Sequence, residues 1–286
     1  MKRVIVVATL LVTCCLTARP QTNAAATASV PTQVIILGTL HGYHKANTNY
    51  SLEILRKVIV AMKPAAILVE LPPEIGGQPT VRSGRITKDF DFNENTAANL
   101  AADSLGINLI PFDREGRNEF YQQTRYFSRQ TAANERLENW IQVQTRKEPG
   151  SIPVLAMRLE SDATESQNRF YRSGGPELIN SPAHDMVIAT KHGIANDIVP
   201  NLLAASGERE LSEEFLFFRD EWEERNQIMA QNIRDIARKF TGKPLVVLTG
   251  SEHHYILREL LAKAPELELK EFYQVPGWTE SPQQTQ

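Results

Sequence analysis

The chain has 286 residues, with 31 lysines and arginines against 34 aspartates and glutamates, for a formal net charge of −3. This balance, without any run of basic residues, excludes the electrostatic field that gathers nucleic acid or anionic lipid, so we expect neither partner. The two cysteines, Cys14 and Cys15, both lie near the N-terminus. A thiol nucleophile, a disulfide and a cysteine metal ligand are therefore not expected in the mature chain.

The N-terminus has the order of a secretory signal peptide. Met1-Lys2-Arg3 runs into an apolar stretch over residues 4–16, followed by small residues, and we predict a signal peptide over residues 1–28. The apolar stretch is shorter than the roughly 20 residues of a membrane-spanning helix, so we predict an exported protein, periplasmic or secreted, without a transmembrane segment. Because Leu11-Val12-Thr13-Cys14 distantly resembles a lipobox, a lipid anchor on the cysteine is the alternative.

Residues 29–280 form one predicted domain of about 250 residues, followed by a polar tail at 281–286. A β-branched run at 33–38 predicts a first strand, apolar residues at helical spacing from Ser51 predict a helix, and the apolar run 65–71 predicts a second strand. A strand, helix and strand in this order form a crossover whose two strands are parallel.

The same alternation returns twice. It predicts a helix at 94–105 with a strand at 107–112, and a strand at 245–249 with a helix at 255–263. A last strand is predicted at 269–273. The fold class is therefore α/β, with a central, mostly parallel sheet flanked by helices.

Residues of about 115–240 contain no convincing strand and predict a large all-helical insertion. The expected helices cover 119–146, about 155–170, about 182–205 and 212–239. Ser212, followed by two glutamates, resembles a helix N-terminus.

Polar side chains follow four predicted strands: His41, Glu70, Asp113 with Arg114, and His253. Side chains after the carboxyl ends of parallel strands converge at one edge of the sheet, where ligands bind. The two histidines end matched Gly-x-x-His sequences, in which glycine would let the chain turn sharply. Imidazoles with a carboxylate are ligands for divalent metals.

Arg225 and Asn226 lie on a long predicted helix whose face is largely apolar. An arginine there needs an anionic partner. Two interpretations stay open: pairing with Glu70 or Asp113, or binding of a substrate carboxylate or a developing oxyanion.

The other histidines have weaker indications. His44 and His254 are spare candidates beside the two motifs, whereas His184 and His192 are predicted to be structural or surface residues.

The segments Gly38-Thr39-Leu40-His41, Val69-Glu70-Leu71, Arg225-Asn226 with Met229, and Gly250-Ser251-Glu252-His253 resemble the superfamily that joins TraB, GumN, TIKI, ChaN-like and erythromycin esterase proteins. The resemblance implies a central sheet with a helical insertion and one site shared by both histidine motifs and the glutamate. It implies that His41, Glu70 and His253 bind or adjoin a metal, with Arg225 and Asn226 in support. TIKI-like members are viewed as metal-dependent peptidases, erythromycin esterase relatives use a histidine without a required metal, and ChaN-like members bind heme.

The leading prediction is an exported, metal-dependent hydrolase of a small-molecule or peptide substrate. A divalent ion (Mn, Co, Zn or Fe) is predicted on His41, Glu70 and His253. The predicted catalytic residues are His41, Glu70, Arg225 and His253, and the predicted substrate-binding residues are Asp113, Arg114 and Asn226. Asp113, Glu252 or whichever carboxylate of the site does not bind the metal is predicted to take the proton.

Two alternatives stay open. In a metal-independent esterase, His41 or His253 is the general base and Glu70 orients it. In an exported heme- or metal-binding protein without turnover, residues such as Tyr43, His44 and Tyr50 bind the cofactor. No feature of the sequence specifies an oligomeric state.

Overall fold

The computed structural model describes residues 30–76 and 94–274. The predicted signal peptide (1–28) and the predicted polar tail (281–286) lie outside the described residues. So does Cys14, and the signal peptide and the alternative lipid anchor on this cysteine stay predictions. Among the described residues, no helix combines the length and the apolar character needed to cross a membrane.

Five parallel strands form the central sheet, in the order β3-β2-β4-β1-β5. The predicted α/β class with a parallel sheet is confirmed. The predicted last strand begins two residues earlier than expected. The first two strands are parallel but not neighbours, because β4 lies between them. The strands are β1 Thr32–Thr39, β2 Ala66–Val69, β3 Asn108–Pro111, β4 Pro244–Gly250 and β5 Leu267–Lys270.

Helices cover both faces of the sheet. On one face, strand residues such as Leu37 and Val246 pack with α1 (Leu52–Ala61) and α3 (Glu94–Leu105). On the other face, α10 (Arg209–Ala237) and α11 (Ser251–Leu261) pack against the alternate strand residues. Burial of both faces explains why the strands read as continuous apolar runs. A short helix, α2 (Pro73–Gly76), follows β2.

Between β3 and β4 all the regular elements are helices, and the predicted helical insertion is confirmed. Its core forms around side chains such as Leu137, Leu203 and Phe218. The helix predicted over 119–146 is two helices, since Arg125 between them adopts a left-handed φ of 54°. The helices before α10 are α4 Arg117–Gln123, α5 Tyr126–Lys147, α6 Ile152–Ser173, α7 Pro176–Ile179, α8 Pro182–Gly193 and α9 Val199–Ala205.

The long helix α10 connects the two cores. It begins at Arg209, so the predicted start at Ser212 is wrong; the buried Ser212 hydroxyl instead donates to the carbonyl of Pro200 at 2.9 Å. Its first half adds Phe218 to the core of the insertion, and its second half adds Met229 to the core under the sheet. The middle of α10 therefore lies at the edge of the sheet, beneath the insertion.

Candidate functional site

The two Gly-x-x-His motifs meet at the carboxyl ends of β1 and β4, which are neighbours in the sheet. A Cβ on Gly250 would collide with Nε2 of His41 and lie 3.0 Å from its Cε1. A Cβ on Gly38 would lie 3.2 Å from the Cα of Ser251. Each glycine thus leaves space for a residue of the other motif.

The chain passes from β4 into the following helix directly at Gly250. Gly250 is the last residue of β4, Gly38 is the last but one of β1, and neither has a positive φ. The left-handed residue of the two motifs is His41, with φ 48°. A left-handed backbone costs a non-glycine residue about 1–2 kcal/mol. The conformation at His41 is typical of a functional position, where surrounding structure holds a residue in a sparsely populated region. The helix after β4 also begins earlier than predicted, at Ser251, so His253 lies in its first turn.

His41 forms a hydrogen-bonded pair with Glu94. Its Nδ1 lies 2.7 Å from Oε1 of Glu94, whose side chain is 7% exposed, whereas the imidazole is 55% exposed. The surrounding protein partly desolvates the ring, but the hydrogen bond and the charge of Glu94, with the charges of Glu70 and Glu252, raise the pKa of His41 to about 9. Nε2, which lies beside Gly250, forms no hydrogen bond with a described residue.

Sequence reasoning did not find Glu94. It is the first residue of α3, where an acidic side chain is ordinarily explained by the helix dipole. Its Oε2 is buried and has no hydrogen-bond partner among the described residues. A buried carboxylate that is hydrogen-bonded to an imidazole, with both side chains lining one cavity, indicates a functional pair rather than a helix cap.

His253 is buried and neutral. The amide of Asn226 donates to the carbonyl of Trp222 at 2.7 Å, so its Oδ1 accepts the proton on Nδ1 of His253, also at 2.7 Å. Nε2 then accepts a hydrogen bond from Nη1 of Arg225 at 3.1 Å. The Trp222 ring stacks on the imidazole at 4.3 Å. Burial lowers the pKa of His253 to about 4.

Arg225 holds the buried part of the site together. Its Nε and Nη2 donate to the two carboxylate oxygens of Asp113 at 2.9 and 2.8 Å, and Nη2 also donates to Glu70 at 2.6 Å. With the bond to His253, four of the five guanidinium N–H groups are used. Arg225 thus binds both Glu70 and Asp113, which the sequence offered as alternative partners. The remaining N–H, on Nη1, bonds no residue of the described chain.

The second oxygen of Glu70 is also occupied. Oε2 accepts the hydroxyl of Thr249 at 2.8 Å and the N–H of Gly250 at 2.7 Å. Burial opposes ionisation, but the neighbouring imidazoles, the Arg225 guanidinium and the Gly250 N–H hold the pKa of Glu70 well below its usual range. Glu70 is therefore an anchored carboxylate, and it does not orient His41 through a hydrogen bond.

The predicted metal ligands do not fit an ion in this arrangement. Both oxygens of Glu70 and Nε2 of His253 accept hydrogen bonds, and the Arg225 guanidinium is the cation that bridges them. Metal ligands must present free lone pairs. Within residues 30–76 and 94–274, no group of three His, Cys, Asp or Glu side chains could hold an ion. A metal on this set would require Arg225 to leave.

The predicted substrate-binding residues have different positions. Asp113 and Asn226 are fully buried and hold Arg225 and His253, so they position other side chains. Arg114 turns toward α10, where Nη1 lies 2.5 Å from Glu221 and the guanidinium covers the ring of Phe120. Substrate binding by these three residues stays a prediction.

Both spare candidates, His44 and His254, are structural. Nε2 of His44 accepts the N–H of Leu40 at 2.9 Å, and Nδ1 donates to the carbonyl of Tyr50 at 2.5 Å. His254 contacts Asp185 at 2.7 Å. His44 and Tyr50 are buried, so these two predicted heme ligands are not accessible, although Tyr43 is exposed.

A cavity of about 780 Å³ opens over the site and is called the main cavity. Its charged lining includes His41, Glu70 and Arg225. Arg117 also lines the cavity, whereas Arg114, the arginine predicted to bind substrate, does not. His192, predicted to be structural or at the surface, also lines it, and burial lowers the pKa of His192 to about 4.

The main cavity also has an aromatic lining. Its rings belong to Tyr121, Tyr126, Phe127, Phe215, Phe218 and Trp222. The charged groups neutralise one another: Lys191 contacts Glu252 at 2.6 Å, and Arg117 pairs with Asp113. Burial opposes ionisation of Glu252, but Lys191 and His192 lower its pKa to about 2. The volume and the mixed walls suit an organic molecule that is largely uncharged.

Fold and site together define an all-parallel α/β protein with a helical insertion and an imidazole–carboxylate pair that opens on a mixed cavity. No family model, no curated protein and no solved structure matches the chain. The resemblance to the TraB, TIKI and erythromycin esterase superfamily therefore stays a prediction from the motifs.

Proposed function

We propose that the protein is a metal-independent hydrolase of carboxylic esters, with His41 as the general base. The observation that carries the proposal is the His41–Glu94 pair, at 2.7 Å. The imidazole lines the main cavity together with Arg225, and its Nε2 forms no hydrogen bond with a described residue. A histidine oriented by a carboxylate through one nitrogen and open to substrate through the other is the arrangement of a general base.

In the proposed reaction, Nδ1–H of the neutral His41 ring donates a hydrogen bond to Glu94, and the lone pair on Nε2 is available. Nε2 takes a proton from a water molecule as the water oxygen bonds to the ester carbonyl carbon. When the tetrahedral intermediate collapses, the bond to the alcohol oxygen breaks and the imidazolium returns its proton to that oxygen. One ester and one water give one acid and one alcohol.

Arg225 is proposed to stabilise the negative charge that develops on the carbonyl oxygen. Its guanidinium is held by Asp113, Glu70 and His253, and one N–H on Nη1 is unused among the described residues. A donor held rigidly before the reaction needs little reorganisation in the transition state. His253 is then a positioning residue that orients Arg225.

The test compares hydrolysis of p-nitrophenyl butyrate by the wild type, His41→Ala and Glu94→Gln. General base catalysis contributes about 10²–10⁴-fold, and we expect losses in this range. Glu53→Gln, an exposed glutamate on α1, is the matched control for Glu94→Gln. Unchanged hydrolysis by His41→Ala, with the circular dichroism spectrum of the wild type, would contradict the proposal.

A second measurement distinguishes the proposed reaction from the metal-dependent reaction predicted from the sequence. We expect dialysis against a chelator to leave kcat/KM unchanged, because Arg225 already occupies Glu70 and His253. Loss of activity after dialysis, with recovery on one equivalent of manganese, cobalt, zinc or iron, would instead support a metal-dependent hydrolase.

A further inference from the structure

The helical insertion contains a second, smaller cavity of about 350 Å³. We call it the annex. Its apolar wall consists of Leu137, Ile141, Met157, Val199 and Phe215. Three residues, Asn134, Ala195 and Phe215, line both the annex and the main cavity. The two cavities therefore adjoin at these side chains.

An irregular helix turn lies at this junction. The turn Ile194–Ile198 between α8 and α9 is π-helical, and such turns occur frequently at functional sites. Ala195 belongs to it and carries only a methyl group where the two cavities meet. A longer side chain at this position would fill space between the two cavities.

The charged residues that line the annex are both acidic. Glu138 is exposed and Glu160 is half-buried, on α5 and α6. Neither forms an ion pair within residues 30–76 and 94–274; Glu160 accepts only the hydroxyl of Thr164, at 2.9 Å. Two carboxylates beside an apolar wall disfavour an anionic group in this cavity.

We propose that the annex binds an uncharged apolar arm of the substrate, while the ester lies in the main cavity beside His41. Contact with Leu137, Met157 and Val199 then selects substrates with a long aliphatic arm over short ones, because each buried methylene favours binding. Glu138 and Glu160 select against an arm that ends in a carboxylate. The position of the ester rests on the proposed function, but binding of the arm does not require turnover.

The binding experiment uses two uncharged fluorescent probes, N-butyl and N-decyl dansylamide, titrated into the wild type and into His41→Ala. We expect the decyl probe to bind at least about tenfold more tightly in both proteins. Ala195→Leu should remove most of this preference, and Met157→Trp provides a second obstruction of the annex. Leu159→Trp, an exposed position on the same helix as Met157, is the matched control and should keep the preference. An equal decyl preference in the wild type and both annex variants would overturn the proposal.

A third probe tests the acidic residues. A decyl arm that ends in a carboxylate should bind more weakly than the plain decyl arm, and the double variant Glu138→Gln, Glu160→Gln should reduce this difference. An unchanged difference in the double variant would contradict the role given to the two glutamates.

Kinetic measurements, together with the binding data, test the annex and the proposed reaction as separate hypotheses. The wild type should hydrolyse p-nitrophenyl decanoate with a higher kcat/KM than the butyrate, and Ala195→Leu should reverse this order. A decyl preference in binding without hydrolysis of any ester would support the annex and contradict the hydrolase. Hydrolysis without a preference for chain length, in binding or in kinetics, would support the hydrolase and overturn the annex.

Discussion

The imidazole of His41 occupies the space that a side chain at Gly250 would need. We therefore expect Gly250→Ala to displace the ring and to break its hydrogen bond to Glu94. Because a misplacement of about 1 Å can cost 10²-fold in rate, kcat/KM for p-nitrophenyl butyrate should fall by about this factor. Gly150→Ala, where the added Cβ meets nothing within 4 Å, is the control. Full activity in Gly250→Ala would show that the contact is not required.

The pH dependence of hydrolysis should report the His41–Glu94 pair. A general base must be deprotonated, and the pKa of His41 is about 9, so kcat/KM in the proposed reaction should rise from neutral pH and level off above about 9. Glu94→Gln removes the carboxylate charge and should move this rise to lower pH while reducing the plateau. A rise centred near the ordinary pKa of histidine in both proteins would count against the pair.

Stability should fall toward acidic pH because of the buried neutral histidines. The pKa values of His192 and His253 are lowered to about 4 from 6.5. Between these values the unfolded chain binds protons that the folded chain does not, so the free energy of unfolding decreases as pH falls from 6.5 toward 4. Urea unfolding at several pH values measures the slope.

At alkaline pH the dependence is reversed, and the free energy of unfolding should decrease as pH rises. The pKa of His41 is raised, so its contribution is complete below pH 6.5 and is lost as pH rises through about 9. His41→Asn should remove this part of the slope, and an identical alkaline slope in the variant would contradict it.

Arg225 is expected to stabilise the fold as well as the reaction. Asp113 is fully buried and Glu70 nearly so, and Arg225→Ala would leave Glu70 without a guanidinium and Asp113 with that of Arg117 alone. Removing one partner of a buried ion pair costs about 3–5 kcal/mol. Arg238→Ala, on an exposed ion pair, should cost at most about 1 kcal/mol. Denaturant unfolding of both variants measures the contrast; equal losses would contradict it.

Separate substitutions of Arg114 and Arg117 test which arginine contacts substrate. The sequence predicts Arg114, whereas the structure favours Arg117. Arg117 lines the main cavity, whereas Arg114 pairs with Glu221 on α10. Arg117→Met should raise KM for the ester, and Arg114→Met should leave KM unchanged while lowering stability. The reverse pattern would restore Arg114 as the residue that contacts substrate.

Local patterns in the sequence predicted most of the architecture. The apolar runs predicted four strands near their observed positions, because strands buried on both faces must be apolar throughout. The absence of such runs from 115 to 240 predicted the helical insertion. Convergence of His41, Glu70, Asp113 and His253 at one edge also followed, since parallel strands place their carboxyl ends together.

Only the tertiary structure decided the partners within that edge. Insertion of β4 between β1 and β2 brings Glu70 to the N–H of Gly250, and α10 brings Arg225 to Glu70 and His253. His41 is left to pair with Glu94, from a helix more than fifty residues away in the chain. Hydrogen-bond partners depend on distances of a few ångströms between elements remote in sequence. Residue types and spacing could name the charged groups, but strand order and helix packing determined which of them meet.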